Sequence, residues 1–293
     1  MTWYQQIRQV AIKAGHKALG GLSDQAFSKI QFLLQQGRLP NLKAPKTLNE
    51  KIQWLKLNYR DPLLKKCANK LLVREYVKNC YGPEILVPLL GCHESVEEIR
   101  FEELPKRFVC KVSHGSGWNI VATDKDNLNW AVESQKLKKW MATDFFKIGR
   151  EWAYKESPRK ILIEHFLDGP DGQSPYDFKI FCFNGSPGFV QVDTDRFSRH
   201  RRSFYDLNWQ QLPFGLEYPI ESRALPRPMG LDKMIEIAKK LSKQFPFVRC
   251  DLYDCDGKVY FGELTFYPGK GTERFSPQKA DIDIGAMLSL SDC

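Results

Sequence analysis

The residue pattern of this 293-residue chain predicts an α+β fold built on antiparallel sheets. Three observations lead there. Helical periodicity with capping residues fills roughly the first fifth of the chain, with no strand pattern. Asn184-Gly185 and Asp256-Gly257 each stand beside alternating runs, as two-residue hairpin turns do. Finally, the apolar run 108–112 and the run 118–121 flank a glycine-rich loop, Ser113-His114-Gly115-Ser116-Gly117.

In chain order, Trp3, Ile7, Val10, Ala14 and Ala18 recur at helical spacing over 3–19, until Gly20-Gly21 breaks the pattern. Docking on the protein body is the expected use of this basic amphipathic helix, and peripheral contact with a membrane is the rarer one. Ser23 caps a helix over 24–36 that Gly37 ends. Thr47 with Glu50 makes a capping box for a helix reaching Tyr59. One further helix is expected from Asp61-Pro62 to the stop at Gly82-Pro83, carrying Asn69, Lys70 and 73–77. A short strand at 85–90 and an acidic helical piece at 94–99 lead to the strand, loop, strand unit. Residues 126–146 read as one long helix with Trp130, Leu137 and Trp140 inward. Strands are expected at 160–167, 176–183, 189–192 and 204–206, and a helix at 231–245 with Met234, Ile237, Ala238 and Leu241 inward.

The chemistry concentrates in the final hairpin, 247–266. By period two, Arg249, Asp251 and Tyr253 share one side of its first strand, and Glu263 and Thr265 share one side of its second. Two carboxylates brought together repel unless a cation or a proton sits between them, and hard oxygen ligands suit Mg²⁺. An arginine two residues before Asp251 adds an anion site. Metal plus arginine implies a phosphate, against the plain alternative of a hairpin with exposed charges. Upstream, Lys111 ends a buried strand just before the glycine loop, where backbone N–H groups can approach a phosphate and the lysine can add a point charge.

Composition narrows the partners. The 44 Lys and Arg against 35 Asp and Glu give a formal charge of +9, which favours anionic ligands. Arg196, Arg199, His200, Arg201 and Arg202 crowd one loop, where anion binding and a solvated face weigh about equally. Aromatic residues fall on apolar faces rather than alternating with basic ones, so no nucleic acid is expected. Eight cysteines show neither CxxC pairs nor paired-histidine spacing, so reduced thiols are the default. No apolar run reaches the roughly 18 residues of a membrane span, and the start lacks a signal-peptide core. A cytoplasmic protein is expected, with the inner membrane surface as a second address.

With this ordered set in view, the chain resembles the ATP-grasp superfamily over 68–290. It is most similar to the subgroup related to teichuronopeptide biosynthesis proteins (TupA-like), in which NEKIQWLK, FVCKVSHGSGWN, EWAYKE, DFKIFCFNG, FVRCDLY and FGELTFYPG recur together. The resemblance implies two α+β lobes with antiparallel sheets sandwiching ATP, here 68–165 and 166–293, preceded by a helical region over 1–67. It implies Lys111 as first phosphate lysine, His114 to Gly117 as the mobile loop, and Lys160 as second lysine. Glu164, His165, Phe166 and Leu167 fall on the adenine segment, Asp177 on the ribose acid, and Lys179 joins the nucleotide set. Arg249 matches the γ-phosphate arginine, which with Lys111 carries catalysis, and Asp251 and Glu263 match the magnesium ligands. Thr265 departs from the pattern, since many ATP-grasp enzymes place asparagine there, and a hydroxyl binds Mg²⁺ more weakly.

The activity so implied is ATP-dependent joining of a carboxylate to an amine through an acyl phosphate, in surface or capsular polysaccharide biosynthesis. Its partners would be an acidic saccharide or nucleotide-sugar acceptor, bound by Arg196, Arg199, Arg201 and Arg202, and an amino acid or amine donor. A glycosyltransferase remains open, because Asp193-Thr-Asp195 has the Asp-x-Asp form. That spacing recurs at Asp124/Asp126, Asp254/Asp256 and Asp281/Asp283 and so discriminates little. Phosphate transfer to a sugar hydroxyl is the third reading. Neither the general base nor the oligomeric state has a signal in the sequence.

Overall fold

The computed structural model describes residues 21–169, 175–194, 200–291 and 293, so the helix expected over 3–19 lies outside the described residues. Capping sets the helical start. The Ser23 hydroxyl accepts the Ala26 N–H at the head of α1 (Asp24–Gln36), and Gly37 closes that helix. Thr47 and Glu50 form the expected capping box on α2 (Leu48–Asn58). The single helix expected next is in fact two, α3 (Pro62–Ala68) and α4 (Val73–Cys80). Asn69 is the cause. Its buried side-chain carbonyl accepts the Leu71 and Leu72 N–H groups, which offers the backbone a turn in place of a helix. Its amide meanwhile donates to Ser157 Oγ and the Pro158 carbonyl.

Four antiparallel strands form the smaller sheet, in the order β1 (Leu89–His93), β4 (Ile161–His165), β2 (Phe108–Val112), β3 (Asn119–Ala122). β1 begins later than 85–90 because Pro83–Ile85 forms a 3₁₀ turn and Pro88, which has no N–H, precedes the strand. Phe108, Cys110 and Val112 point to the face that α5 (Trp130–Ala142) seals with Leu137, which leaves Lys111 on the other. α5 is shorter than the helix expected over 126–146. Asn129 caps it, Lys125–Asn127 is a separate 3₁₀ turn, and α6 (Phe146–Gly149) follows the Thr143 cap. The acidic piece at 94–99 is a 3₁₀ turn at Val96–Glu98.

Five antiparallel strands form the larger sheet, in the order β10 (Lys258–Thr265), β9 (Phe247–Cys255), β5 (Tyr176–Phe183), β6 (Ser186–Thr194), β7 (Arg201–Tyr205). On one face Phe178, Ile180, Cys250, Leu252 and Leu264 form a core with Met234, Ile237, Ala238 and Leu241 of α7 (Leu231–Ser242). Leu48, Ile52, Leu64 and Val77 tie the first helices to that same core. A two-stranded sheet of β8 (Gly215–Leu216) and β11 (Phe275–Ser276), and α8 (Lys279–Gly285), have no clear sequence signal. Among the described residues no helix is long and apolar enough to cross a membrane.

Register decides which face the chemistry occupies. Asp256 and Gly257 turn with φ of 53° and 87°, the both-positive geometry that suits strand twist, and they fix Cys255 opposite Lys258. An unbroken ladder from that turn would set Glu263 opposite Cys250, on the core face. A bulge prevents it. Register shifts by one residue between Phe261 and Glu263, which places Glu263 opposite Asp251 and Thr265 opposite Arg249. Gly262 is the extra residue, and a Cβ there would stand 2.9 Å from the Asp251 carbonyl oxygen.

Candidate active site

Cross-strand pairing lays the site out in rows. One row runs Glu263, Asp251, Lys179, Gln191 across β10, β9, β5 and β6, flanked by Thr265 and Arg249 on one side and by Tyr253 and Asp177 on the other. Lys111 and Asn119, paired across β2 and β3, face this floor from the smaller sheet. Between the sheets lies a cavity of about 200 Å³. Four cations, Lys70, Lys111, Lys179 and Arg249, line it against three carboxylates, Asp177, Asp251 and Glu263, under Ser116 and Gly117.

Arg249 grips Asp251 with two bonds, Nε to Oδ1 at 2.7 Å and Nη2 to Oδ2 at 2.6 Å, and donates to Thr265 Oγ1 at 3.3 Å. Lys179 Nζ stands 3.4 Å from Asp251 and also bonds Asp177. Thr265 donates to Glu263 Oε1 at 3.3 Å, and Glu263 Oε2 lies 3.3 Å from Lys70 Nζ. Opposite, Lys111 Nζ is 2.6 Å from Glu164 Oε2, with Arg74 at 3.6 Å from Oε1. The two carboxylates respond differently. Burial pushes the Asp251 carboxyl up, against the pull of Arg249 and Lys179. At Glu263 burial also acts upward but is outweighed by Lys70, Arg249 and Lys179, which hold the carboxyl at about 2. Burial works against the Arg249 charge, yet Asp251 and Glu263 keep its pKa above the ordinary range.

Of the residues singled out in the sequence, Lys111, Ser116, Gly117, Asp177, Lys179, Arg249, Asp251 and Glu263 meet at the cavity, and Thr265 bridges Arg249 and Glu263. Gly115 stands beside it, its carbonyl accepting from Lys70. His114 is buried with Nε2 on the Thr143 carbonyl at 3.1 Å, and burial holds its pKa down. Glu164 joins through Lys111, whereas His165 is exposed, Phe166 lies under the Arg107 guanidinium at 4.0 Å, and Leu167 is half-buried. Lys160 does not reach the cavity, because Glu94 holds its ammonium at the start of β4. Lys70 is the cation that sequence reasoning passed over as a helix lysine. The signal was the Asn69 break, which takes Lys70 out of the helix and aims it at Glu263.

The basic run divides. Arg196 and Arg199, like Asp195, lie outside the described residues. Arg202 is buried, bonded to Asp193 at 2.7 Å and Glu273 at 3.2 Å and seated over the Tyr218 ring at 4.8 Å. Arg201 donates to the Ile220 carbonyl at 3.2 Å. In the Asp-x-Asp pairs the first aspartate is engaged each time. Asp193 bonds Arg202 and His200, Asp124 caps Asp126, Asp254 accepts the Gly230 and Gly257 N–H groups, and Asp281 accepts from Asn49.

Among the described residues no three His, Cys, Asp or Glu side chains gather into a metal cage. Magnesium carried on a polyphosphate does not need one, since it keeps waters and takes one or two carboxylates beside the phosphate oxygens. Asp251 and Glu263, adjacent across one strand pair and ringed by cations, fit that requirement. The model of the family TupA-like ATPgrasp matches residues 50–289. The chain belongs to the TupA-like ATP-grasp family. Its fold is accordingly the ATP-grasp fold, within the ATP-grasp ligase superfamily, and ATP and Mg²⁺ are the cofactors of these enzymes.

Solved structures give a looser likeness to this TupA-like protein. D-alanine–D-alanine ligase from Bacillus anthracis complexed with ATP is 15% identical at a TM-score of 0.40, over 70% of this chain and 55% of that one. The ADP complex of purK, N5-carboxyaminoimidazole ribonucleotide synthetase, is 14% identical at 0.43, over 74% and 50%. D-alanine–D-alanine ligase from Helicobacter pylori is 18% identical at 0.41, over 76% and 61%. The chain thus spans about half to three fifths of their lengths, and the family assignment rests on the match over 50–289. No curated protein matches it.

Proposed function

We propose that this protein is a carboxylate–amine ligase of surface or capsular polysaccharide biosynthesis, joining a carboxylate of an acidic saccharide or nucleotide sugar to an amino acid or other amine. The observation that carries the reading is the Glu263, Asp251, Lys179 row facing Lys111 across the cavity, with Arg249 beside it. When bound, ATP with Mg²⁺ supplies the phosphoryl group that turns a carboxylate, a poor acyl donor, into an acyl phosphate. Lys70, Lys111, Lys179 and Arg249 place positive charge where negative charge gathers during that transfer. Glu263, held ionised, offers a ready divalent-cation ligand, and the two-bond grip of Arg249 fixes Asp251 beside it. Ser116 and Gly117 line the cavity on the loop side, where closure over bound substrates would exclude water and protect an acyl phosphate from hydrolysis. The net charge of +9 suits an acidic acceptor.

The test is a steady-state assay of ADP and phosphate release with Mg-ATP, glucuronate or UDP-glucuronate, and a panel of amino acids, with mass spectrometry of the product. Release of both together with an amide supports the reading. ADP with a phosphorylated sugar and no free phosphate replaces it with phosphotransfer. Consumption of the nucleotide sugar without ATP replaces it with glycosyl transfer.

A further inference from the structure

The charge of this chain is unevenly spread. Residues 1–46 hold seven Lys and Arg, at 8, 13, 17, 29, 38, 43 and 46, against Asp24 alone, so six of the nine net positive charges fall there. Leucines lie bare in the same stretch. α1 turns Phe27, Gln31 and Phe32 inward, yet Ala26, Ile30, Leu33 and Leu34, at i, i+4, i+7 and i+8, form a second apolar stripe on another side. Leu33 is 41% exposed and Leu34 49%, and Leu39, just past the helix, is 60%. Lys29 stands one turn from Leu33 and shares a cavity with Lys43. Among the described residues Lys29, Lys43 and Lys46 enter no ion pair, whereas Arg38 is held by Glu50.

Two occupants compete for such a face. The basic amphipathic stretch 3–19, outside the described residues, ends just ahead of Leu22 and α1, and it carries Arg8, Lys13 and Lys17 with no acidic residue. The cavity beside α1, about 640 Å³ between α1 and α2, is itself basic. Lys29, Lys43 and Arg60 line it with Trp54 and Leu57, and its one carboxylate among the described residues, Asp24, lies 3.4 Å from Arg150. Like charges repel, so a basic stretch docked there gains no ion pair. An anionic membrane satisfies both halves of the pattern. Its headgroups attract the lysines, and its acyl boundary covers leucines that otherwise face water. A nucleic acid supplies the charge but leaves the apolar stripe uncovered.

We propose that the α1 face, Leu33, Leu34 and Leu39 with Lys29, Lys43 and Lys46, binds an anionic lipid membrane, with the stretch 3–19 lying beside it in the interface. The proposal is independent of the ligase reading. It is tested by flotation of the full chain with vesicles of phosphatidylcholine alone and of phosphatidylcholine with an equal part of phosphatidylglycerol. Leu33→Gln/Leu34→Gln and Lys29→Gln/Lys43→Gln/Lys46→Gln are run beside it, and because the substituted side chains are exposed or half-buried the fold is kept. The expected result is binding to the mixed vesicles only, about tenfold weaker in each variant, with an unchanged melting temperature. Hydrogen exchange over 3–19 should slow only when mixed vesicles are present. Equal binding by the leucine variant and the wild type reduces the contact to charge and overturns the proposal, as does a lack of binding to either vesicle. Slow exchange over 3–19 without vesicles assigns that stretch to the protein body, and a dimer that the leucine variant abolishes assigns the face to a second copy. Either of these also overturns it.

Discussion

Two ion clusters share one face of the five-stranded sheet and are put to different uses. Around Asp251 the charges border an open cavity, and Lys70, Lys111 and Lys179 reach into it. Around Asp193 they are closed in. Arg202 and His200 both bond that carboxylate, Glu273 takes the other side of Arg202, and the Tyr218 ring lies tilted against His200 with centroids 3.8 Å apart. Burial alone would raise the Asp193 carboxyl, yet Arg202, Lys179 and His200 hold it well below its usual range. An arginine in a basic run is therefore not an anion site by virtue of its charge. It becomes one only where its neighbours leave both space and field.

The sharpest way to break this comparison is at the open cluster. Glu263→Gln and Lys111→Ala should each lower ATP turnover about a thousandfold while the protein still folds. Unchanged ADP release in both variants would remove the site. At the closed cluster the loss should fall on stability instead. Asp193→Asn is expected to cost about 3 kcal/mol in urea unfolding at pH 7, because it leaves Arg202 buried with one carboxylate fewer, and to spare Mg-ATP affinity. The sign of its pH dependence follows from the depressed folded pKa. Asp193 contributes stability above the unfolded value of about 3.9, and loses it as pH falls below that, so the variant should show a flatter acid limb.

A buried charge with no ion-pair partner among the described residues sharpens the contrast further. Lys56 on α2 is 1% exposed and, among the described residues, its Nζ finds no hydrogen-bond partner. Burial, with Lys270 adding to it and Glu151 opposing, pushes its pKa down to about 8. Between there and the ordinary lysine value of about 10.4 the unfolded chain binds more protons, so wild-type stability should rise with pH across that window. Lys56→Met should flatten the rise and add up to about 3 kcal/mol at pH 7, as read by denaturant melts. A destabilised variant would mean that the ammonium has a partner in solution. The smallest effect is expected at Arg201→Ala, within about 0.5 kcal/mol, since its side chain is partly exposed and donates one bond to a carbonyl.

What was legible in the sequence acts over short distances. The Ser23 and Thr47 caps, the Gly37 stop and the Asn184-Gly185 and Asp256-Gly257 turns depend on neighbours within about four residues, and they stand where the pattern placed them. Arg249 beside Asp251 was legible for the same reason. The rest depends on partners far along the chain. Asn69 breaks its helix while bonding Ser157 and Pro158, Glu94 draws Lys160 away from the cavity, and Glu273 helps to hold Arg202. Side-chain type told which groups could bind an anion. Only distant contacts told which ones were left to do so.

The bulge at Gly262 makes the two arms of the active-site hairpin unequal in their tolerance of changes in length. β10 carries one residue more than its ladder needs. Loss of Gly262 would restore an unbroken ladder from the Asp256-Gly257 turn, and Glu263 would still face Asp251. Loss of one residue from β9 between Asp251 and the turn has no such reserve, and it would carry Asp251 out of line with both Glu263 and Lys179. In a lineage that drifts by gaps, single deletions in this hairpin should therefore collect on the second arm and be purged from the first. What the second arm would give up is the local kink that a bulge imparts, so the glycine preserves the aim of the carboxylate rather than its address.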